Sequence, residues 1–181
     1  MSKRARIGAR CAALTLLPLT VLMAAAPAHA GTRGLYNGFE ESDIGKWDRL
    51  AGGDGRAGFE IGTGTALTGQ GNGRLSATRG WAREGTWASF EGAYRYCTAR
   101  VYVRPDQDLQ FELRVWTPQG KKLISTAPWL TAGDYRLVQV DWTGEGDNKN
   151  FVEAVLGANG TPRAVRLDAL TVVCADGSRT S

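Results

Sequence analysis

Two segments of the chain place aromatic and charged side chains at every second position. In residues 94–103 and 109–116, one set of alternate positions is apolar and the other set is polar or aromatic. Successive side chains of a β-strand point to opposite faces, so each set occupies one face of a strand. The polar face carries three aromatic rings, and large rings are costly to leave in water. Its candidate residues are Tyr96, Arg100, Tyr102, Glu112, Arg114 and Trp116.

Aromatic rings beside charged groups can bind a saccharide. The rings stack on the apolar faces of sugars, while arginines, amides and carboxylates bond the hydroxyl groups. Trp81 and Trp129 lie in loop-like sequence contexts and are further candidates for this role. The alternative is that another segment covers the polar face, in which case these side chains are packing residues. Core positions are predicted for Trp47, Trp87 and Trp142.

The two segments are predicted to form an antiparallel hairpin that turns at residues 104–108. In that register Val103 lies opposite Leu109, and Arg100 lies opposite Glu112. A slip of one residue would move arginines into the core, so the alternation specifies the register. The hairpin would bring the candidate side chains of both segments onto one surface.

The rest of the chain also has the pattern of a β-protein. Short runs of β-branched and aromatic residues recur between turn signals, and no long segment has a helical period. The dipeptides Asn37-Gly38, Asn72-Gly73 and Asn159-Gly160 are typical of tight turns. Many short strands joined by glycine-rich turns indicate a sandwich or a barrel. Further strands are predicted at residues 59–61, 135–142, 151–156 and 165–174.

Residues 1–30 have the three parts of a secretory signal peptide. A basic segment, residues 1–10, precedes an apolar run, residues 11–26, and Ala28-His29-Ala30 matches a cleavage site. The alternative is a membrane anchor, but the apolar run is short for a span, which needs about 20 residues. We therefore expect a secreted, extracellular protein without membrane attachment after cleavage. We expect a monomer whose single domain covers residues 31–181.

Removing that leader makes the chain electrically balanced and free of histidine. Of the 22 lysines and arginines, four lie in the leader with no acidic residue, so 18 remain against 18 aspartates and glutamates. Nucleic-acid-binding domains keep a basic surplus, and a nucleic-acid partner is therefore not expected. His29 is the only histidine of the chain, and its loss excludes catalytic triads that need an imidazole.

Catalysis by carboxylates alone is not excluded by this composition. A glycosidase needs two carboxyl groups that face each other, and only Glu112 lies on the predicted polar face. Neighbouring Arg100 and Arg114 would keep Glu112 ionised, which is unsuited to a general acid. A non-catalytic protein is therefore expected, and a small polysaccharide lyase or hydrolase is the alternative.

Two cysteines lie outside the leader, Cys97 and Cys174. An even pair in an oxidising compartment favours a disulfide. Both positions fall on the apolar side of their predicted strands, so both thiols point into the same interior. The alternative is a pair of buried free thiols.

Four pieces of the sequence, in order, carry a family resemblance. They are Tyr36-Asn-Gly-Phe-Glu40 with Gly45-Lys-Trp47, the glycine-led segment 69–77, the segment 96–103, and the segment 166–172. Together they resemble the secreted jelly-roll β-sandwich carbohydrate-binding modules, the galactose-binding-like group attached to many polysaccharide-degrading enzymes. The resemblance covers nearly the whole chain after the leader. It implies an all-β jelly-roll β-sandwich of two antiparallel sheets.

The resemblance also implies a calcium site and a function. A structural Ca²⁺ often lies where the first and last strands of these modules meet, and its ligands would fall on Glu40 and Asp168. Oxygen-only ligation suits this ion, although Ala169 stands where the family often has a second aspartate. The implied function is non-catalytic binding of an extracellular polysaccharide or glycan, on the sheet face or on adjoining loops. The alternative is an extracellular protein-interaction or adhesion domain that uses the same aromatic face.

Overall fold

The structure, a computed structural model, describes residues 32–90, 96–144 and 149–175. The predicted signal peptide at residues 1–30 lies outside these ranges. Within the ranges, no helix has the length and the apolar character needed to cross a bilayer.

Most of the described residues lie in β-strands, which confirms the predicted all-β class. A short 3-10 helix, Glu41–Lys46, links the first two strands. In chain order the strands are β1 (Thr32–Asn37), β2 (Trp47–Gly53), β3 (Arg56–Ile61), β4 (Gly71–Ser89), β5 (Tyr96–Pro105), β6 (Leu109–Gln110), β7 (Glu112–Trp116), β8 (Lys122–Thr126), β9 (Trp129–Leu130), β10 (Arg136–Thr143) and β11 (Lys149–Ala175).

Strands β4 and β11 pair with each other along most of their length and contribute to two antiparallel layers. The C-terminal part of β4 and the N-terminal part of β11 form the centre of a layer with the strand order β2-β4-β11-β7-β8, which we call the front sheet. The other parts of β4 and β11 carry β3, β5, β10 and β1, and these form the back sheet. Strands β6 and β9 pair separately.

Strand β11 is continuous where the sequence predicts two strands. The predicted strands 151–156 and 165–174 both lie within it. Asn159-Gly160, predicted as a turn, lies at a shift of register between Asn159 and Arg163. A β-bulge inserts unpaired residues and bends a strand without ending it. Across this bulge the flanking partner of β11 changes from β7 to β5.

The predicted hairpin between the segments that become β5 and β7 does not form. β5 lies between β10 and β11 in the back sheet, whereas β7 lies between β8 and β11 in the front sheet. Arg100 pairs with Gln139 rather than with Glu112. Val103 likewise has no pairing with Leu109, which pairs in the small sheet of β6 and β9. Alternation decides which face a side chain takes, but any strand of the same pattern can be the partner.

The predicted division of these strands into two faces is confirmed. The apolar set of each strand is buried in one core cluster. Burying a valine, leucine or phenylalanine side chain stabilises the fold by about 1.5–3 kcal/mol. The members of this set are Cys97, Ala99, Val101, Val103, Leu109, Phe111, Leu113 and Val115. In β10, Trp142 is buried as predicted, and Val138 and Val140 on the same face are buried with it.

One predicted turn is overridden by tertiary contacts. Asn72-Gly73 lies inside β4, where the buried Asn72 amide donates a hydrogen bond to Glu60 Oε2 at 3.1 Å. A side chain at Gly73 would collide with the Glu84 carboxyl group and the Phe39 ring. Glycine is required there by packing, because the core leaves no space for a Cβ, and not by turn geometry.

The tryptophans are distributed differently from the prediction. Trp47 and Trp142 are buried, as predicted. Trp87, predicted in the core, is 43% exposed on the outer face of β4. Trp81, predicted in a loop, lies on the same strand and the same face, and is 38% exposed. The outer face of the front sheet therefore carries two large rings on one strand.

The predicted disulfide between Cys97 and Cys174 is present. The two residues lie directly opposite each other in the pairing of β5 with β11, and both are buried. The bond closes a long loop, because the cysteines are 77 residues apart in sequence. Within the back sheet, it joins β5 to the C-terminal part of β11.

We expect the double variant Cys97→Ala/Cys174→Ala to be less stable than the oxidised wild type by about 4 kcal/mol. A crosslink across a loop of this length restricts the unfolded chain, and this restriction is lost in the variant. Urea unfolding of both proteins, with and without reducing agent, measures the difference. Reductant should destabilise only the wild type, and equal stabilities under oxidising conditions would contradict the prediction.

The core contains one carboxyl group with no hydrogen bond from any described side chain. Glu84 of β4 is fully buried beside Gly73 and Phe39. Burial raises the pKa of the Glu84 carboxyl group well above its ordinary value of 4.5, and this outweighs the opposing effects of Arg49 and the Gly58 backbone. The protonated, uncharged form therefore favours the folded state.

The free energy of unfolding should consequently fall as the pH rises from about 4.5 toward the raised pKa of Glu84. The variant Glu84→Gln has no carboxyl group at this position and should not show that fall. Above pH 4.5, the ordinary value, the unfolded chain releases this proton while the folded chain retains it. Each pH unit up to the raised pKa then costs the wild type at most about 1.4 kcal/mol. The test is urea unfolding of both proteins between about pH 4 and pH 8. A constant stability difference across that interval would refute the assignment.

Candidate functional site

The outer face of the front sheet carries a cleft of about 590 Å³. Side chains at alternate positions of β2, β4, β11 and β7 build its floor, since every second residue of a strand faces the same side. Gln110 and Ala127 form part of one wall, and the Gln110 side chain donates to the Ala127 carbonyl oxygen at 3.1 Å. The cleft is thus a product of the front sheet and of the β6–β9 pair beside it.

The strand register arranges the outward positions in rows across the front sheet. Along a strand, successive rows are about 6.7 Å apart, so the face from Trp81 to Trp87 is about 20 Å long. Aromatic rings stand in the first and last rows, and charged residues stand between them. In order, the rows are Gly52, Trp81 and Gly157; Leu50, Arg83, Val155 and Glu112; Asp48, Gly85, Glu153 and Arg114; and Trp87, Phe151 and Trp116.

Trp81 is bracketed by glycines on both neighbouring strands. Gly52 lies on one side and Gly157 on the other. A Cβ at Gly52 would come within 2.6 Å of the indole Nε1, so the ring of Trp81 lies directly over that backbone. A Cβ at Gly157 would meet no atom within 4 Å. The absence of neighbouring side chains leaves the Trp81 indole accessible from the cleft.

The other end of the face is aromatic as well. A second depression of about 350 Å³ lies beside the cleft, and Arg83 and Trp116 line both. Trp87 stands there with its ring centroid 5.1 Å from that of Phe151, and Lys149 Nζ lies 4.7 Å from the centroid of the Trp87 ring. The two depressions therefore form one continuous surface with rings at both ends.

Glu153 holds the centre of this surface together. Its side chain is 2% exposed, and its Oε1 accepts a hydrogen bond from Trp116 Nε1 at 2.7 Å. Its Oε2 accepts a hydrogen bond from Arg83 Nη1 at 2.5 Å, and Arg114 Nη1 lies 3.6 Å from Oε1. A buried carboxylate is tolerated when it is paired and hydrogen-bonded in this way. Glu153 thereby sets the positions of two arginines and one indole ring.

The second carboxylate of the cleft is also paired with an arginine. Arg114 Nη2 donates to Glu112 Oε2 at 2.6 Å. The hydrogen bond from Arg114 lowers the pKa of Glu112, and the same pair raises the pKa of Arg114. Sequence reasoning found no second carboxylate on the face of Glu112, but Glu153 lies there. Both carboxylates of the cleft are therefore paired with guanidinium groups.

Comparison with known proteins finds similarity in structure only. No family model matches the chain, and no curated protein matches it in sequence. Solved structures that are similar are mostly carbohydrate-binding modules, of families 61, 22, 4 and 11. At 10–16% identity in these four cases, the likeness shows the fold alone.

One similar structure is the module TmCBM61, solved in complex with β-1,4-galactotriose. Its TM-score is 0.59 at 10% sequence identity, and the match covers 75% of this chain and 92% of the TmCBM61 chain. The chain has the fold of a carbohydrate-binding module. The CBM22-1 xylan-binding domain of Paenibacillus barcinonensis Xyn10C agrees, with a TM-score of 0.55, 16% identity, and coverage of 80% of this chain and 95% of its own. The fold implied by the sequence resemblance, a jelly-roll β-sandwich, is therefore confirmed.

One similar structure is far larger than this chain. In the enzymatically active domain of bacteriophage CBA120 tailspike protein 4, the match has a TM-score of 0.52 and 11% identity. It covers 71% of this chain but only 19% of the tailspike chain. The shared part is thus a sandwich domain within a much longer protein.

The six side chains predicted to share one face lie on two different sheets. Tyr96, Arg100 and Tyr102 belong to β5 in the back sheet, where Tyr96 is 41% exposed and Arg100 Nε donates to Gln139 Oε1 at 2.8 Å. The other three are in β7, and they line the cleft of the front sheet: Glu112, Arg114 and Trp116. The single platform of the prediction is wrong, because it depended on the hairpin that does not form.

The two remaining candidate tryptophans lie in or near the cleft. Trp81 lines it directly. Trp129 of β9 pairs with Gln110 of β6, whose side chain lines the cleft, and Trp129 is 65% exposed. Paired residues of adjacent strands project to the same side of a sheet. Trp129 therefore stands beside the wall formed by Gln110.

Sequence reasoning missed several residues of the cleft. Arg83, Glu153 and Arg163 line it and were not among the candidates. One signal was available for Glu153, since it is the only charged residue in the otherwise apolar run 151–156. A carboxylate within a buried strand needs a cationic partner. The identity of that partner depended on strand pairings that the alternation does not specify.

The residues that the resemblance assigns to calcium accept hydrogen bonds from the loop before β4 and from the backbone beside Asp168. Glu40 accepts a hydrogen bond from the Gln70 backbone N–H at 3.1 Å. Asp168 Oδ2 accepts from the Leu67 and Thr68 backbone N–H groups, and Oδ1 accepts from the Thr68 hydroxyl group and the Ala169 N–H.

These bonds use the lone pairs of the Asp168 carboxylate, which has about four acceptor positions. Among the described residues, no three His, Cys, Asp or Glu side chains group together as metal ligands would. Calcium at Glu40 and Asp168 stays a prediction of the resemblance.

We expect Glu153→Gln to lower the free energy of unfolding by about 2 kcal/mol, because it leaves Arg83 and Arg114 without their buried counter-charge. Urea unfolding monitored by tryptophan fluorescence measures the loss. The matched control is Glu112→Gln, which removes a more exposed carboxylate with one arginine partner and should cost less than about 1 kcal/mol. Equal losses in the two variants would contradict the central role of Glu153.

Proposed function

We propose that the chain is a secreted, non-catalytic carbohydrate-binding module that binds an extracellular polysaccharide along the outer face of the front sheet. The observation that carries this proposal is the arrangement of Trp81, Trp116 and Trp87 on one concave face. The rings are separated by arginine and carboxylate side chains. Rings suit the apolar faces of sugars, and the charged groups suit their hydroxyls.

The length of the face favours several sugar units rather than one. The first and last rows of the front sheet are about 20 Å apart along β4. A chain lying along them would stack on Trp81 at one end and on Trp87 at the other. Between them Arg83 and Arg114 would donate hydrogen bonds to hydroxyl groups. Glu153 would act as a positioning residue, since it orients both arginines and Trp116.

Two features support the extracellular and non-catalytic parts of the proposal. The disulfide between Cys97 and Cys174 is typical of proteins from an oxidising compartment. The carboxylates of the cleft, Glu112 and Glu153, are both bound to Arg114. The hydrogen bond from Arg114 lowers the pKa of Glu112, which is unsuited to a group that must protonate a leaving group.

We predict that Trp81→Ala weakens polysaccharide binding about tenfold or more, because the ring would stack on a sugar at the open end of the cleft. Affinity electrophoresis against a panel of extracellular polysaccharides, including β-glucan, xylan and galactan, identifies a ligand, and calorimetry then measures the affinity. The matched control is Tyr96→Ala, which removes a ring of similar exposure from the back sheet and should leave the affinity unchanged.

Three results would each reject a different part of the proposal. If no polysaccharide retards the protein, glycan binding is wrong and a protein-interaction domain takes its place. If Tyr96→Ala abolishes binding while Trp81→Ala does not, the site lies on the back sheet. Release of reducing ends or unsaturated products from a polysaccharide would show that the protein is a hydrolase or a lyase.

A further inference from the structure

We propose that the ligand of the cleft is an anionic polysaccharide, and that Arg163 binds an acidic group of a sugar stacked on Trp81. This inference rests on the proposed function and adds the chemical class of the ligand. It is drawn from the charges of the cleft, where arginines outnumber the carboxylates that could neutralise them.

Three arginines and two carboxylates line the cleft: Arg83, Arg114, Arg163, Glu112 and Glu153. Both carboxylates are engaged by the first two arginines. Arg83 pairs with Glu153, and Arg114 bridges Glu112 and Glu153. No described carboxylate pairs with Arg163. Counting the described residues alone, the cleft has one more arginine than carboxylates, although the chain after the predicted leader is balanced at 18 charges of each sign.

Arg163 uses little of its hydrogen-bonding capacity within the protein. Its Nη1 donates to the Gly157 carbonyl oxygen at 3.2 Å, and its Nε is buried without an acceptor among the described residues. A guanidinium group has five N–H donors. Its remaining donors suit an oxygen-rich anion, because arginine binds carboxylate and sulfate oxygens with two parallel hydrogen bonds.

Arg163 also lines a depression on its other side, and the carboxylates there are occupied too. Asp106 binds Arg74 and Arg166, at 3.2 Å and 2.9 Å. Asp54 accepts hydrogen bonds from backbone N–H groups of the neighbouring strand β4. Within the part of the chain that the structure describes, neither Asp106 nor Asp54 forms an ion pair with Arg163.

Arg163 lies near Trp81, the ring on which a sugar is proposed to stack. Its hydrogen bond to Gly157 holds the guanidinium group beside the residue that lies opposite Trp81. The other two arginines of the cleft stand in the next rows, where they are already paired. A sugar stacked on Trp81 would thus have the unpaired cation within reach of its acidic substituent. The substituent is a carboxylate, as in a uronic acid, or a sulfate ester.

Calorimetry on paired ligands tests this inference. The probes are oligogalacturonate and its carboxyl-reduced form, and dextran sulfate and dextran, in buffer of about 0.15 M ionic strength to screen distant charges. The wild type should bind an acidic probe about tenfold or more tightly than its neutral partner. Arg163→Gln should remove that preference while retaining the affinity for the neutral partner. Which acidic probe is preferred distinguishes carboxylate from sulfate.

The matched control is Arg136→Gln, which makes the same change in net charge at an exposed position of β10 in the back sheet. It should keep the preference for the acidic probe. If both arginine variants lose the preference equally, the attraction is a property of net charge and the site at Arg163 is refuted.

Failure of this inference and failure of the proposed function give different results. If the wild type binds neutral and acidic partners equally, or neutral ones better, and Arg163→Gln changes neither affinity, then the module binds glycans but not through an anionic group. If the wild type binds no saccharide in these pairs or in the wider polysaccharide panel, the proposed function itself is wrong. Unfolding midpoints of the two variants equal to that of the wild type verify that both are folded.

Discussion

The antiparallel pairing of β4 with β11 supports both the core and the cleft. The two strands stay in register from Lys149 opposite Ser89 to Asn159 opposite Arg79, and they pair again beyond the bulge, from Arg163 to Leu167. Each strand therefore contributes to the front sheet with one half and to the back sheet with the other. A loss of register would move outward residues into the core on both sheets, because strand side chains alternate.

That pairing also explains why the two buried glutamates differ. Glu153 is paired with cations in the front sheet, whereas Glu84 lies in the core with no ion pair among the described residues. Glu153 faces outward, where β4 and β7 bring Arg83 and Arg114 beside it, and Trp116 supplies a third donor. Glu84 faces inward on β4, among apolar neighbours, and its pKa is raised by burial. The two residues have the same chemistry, and only the side of the sheet differs. The charge of Glu153 is thus balanced by neighbouring arginines, whereas burial of Glu84 favours its uncharged form.

Glycines determine which rings on the outer face of the front sheet are open to a ligand. Trp81 has Gly52 and Gly157 on its flanking strands, and its indole lies over bare backbone. Trp87 has Phe151 opposite it and Lys149 over its ring, so part of its surface is already covered. Rings of one residue type on one strand thus present different surfaces, because the neighbouring strands differ in side-chain size.

The sequence by itself determined the β-class, the inward and outward faces of β5, β7 and β10, and the bond between Cys97 and Cys174. All of these follow from local alternation or from cysteine chemistry, which are readable without knowledge of the partner strand. Only the tertiary structure decided that β5 and β7 lie in different sheets, that Asn159-Gly160 is a bulge, and that Glu153 and Arg163 belong to the cleft. The physical reason is that alternation specifies a face, whereas the choice of partner strand depends on long-range packing that many strands of the same pattern could satisfy.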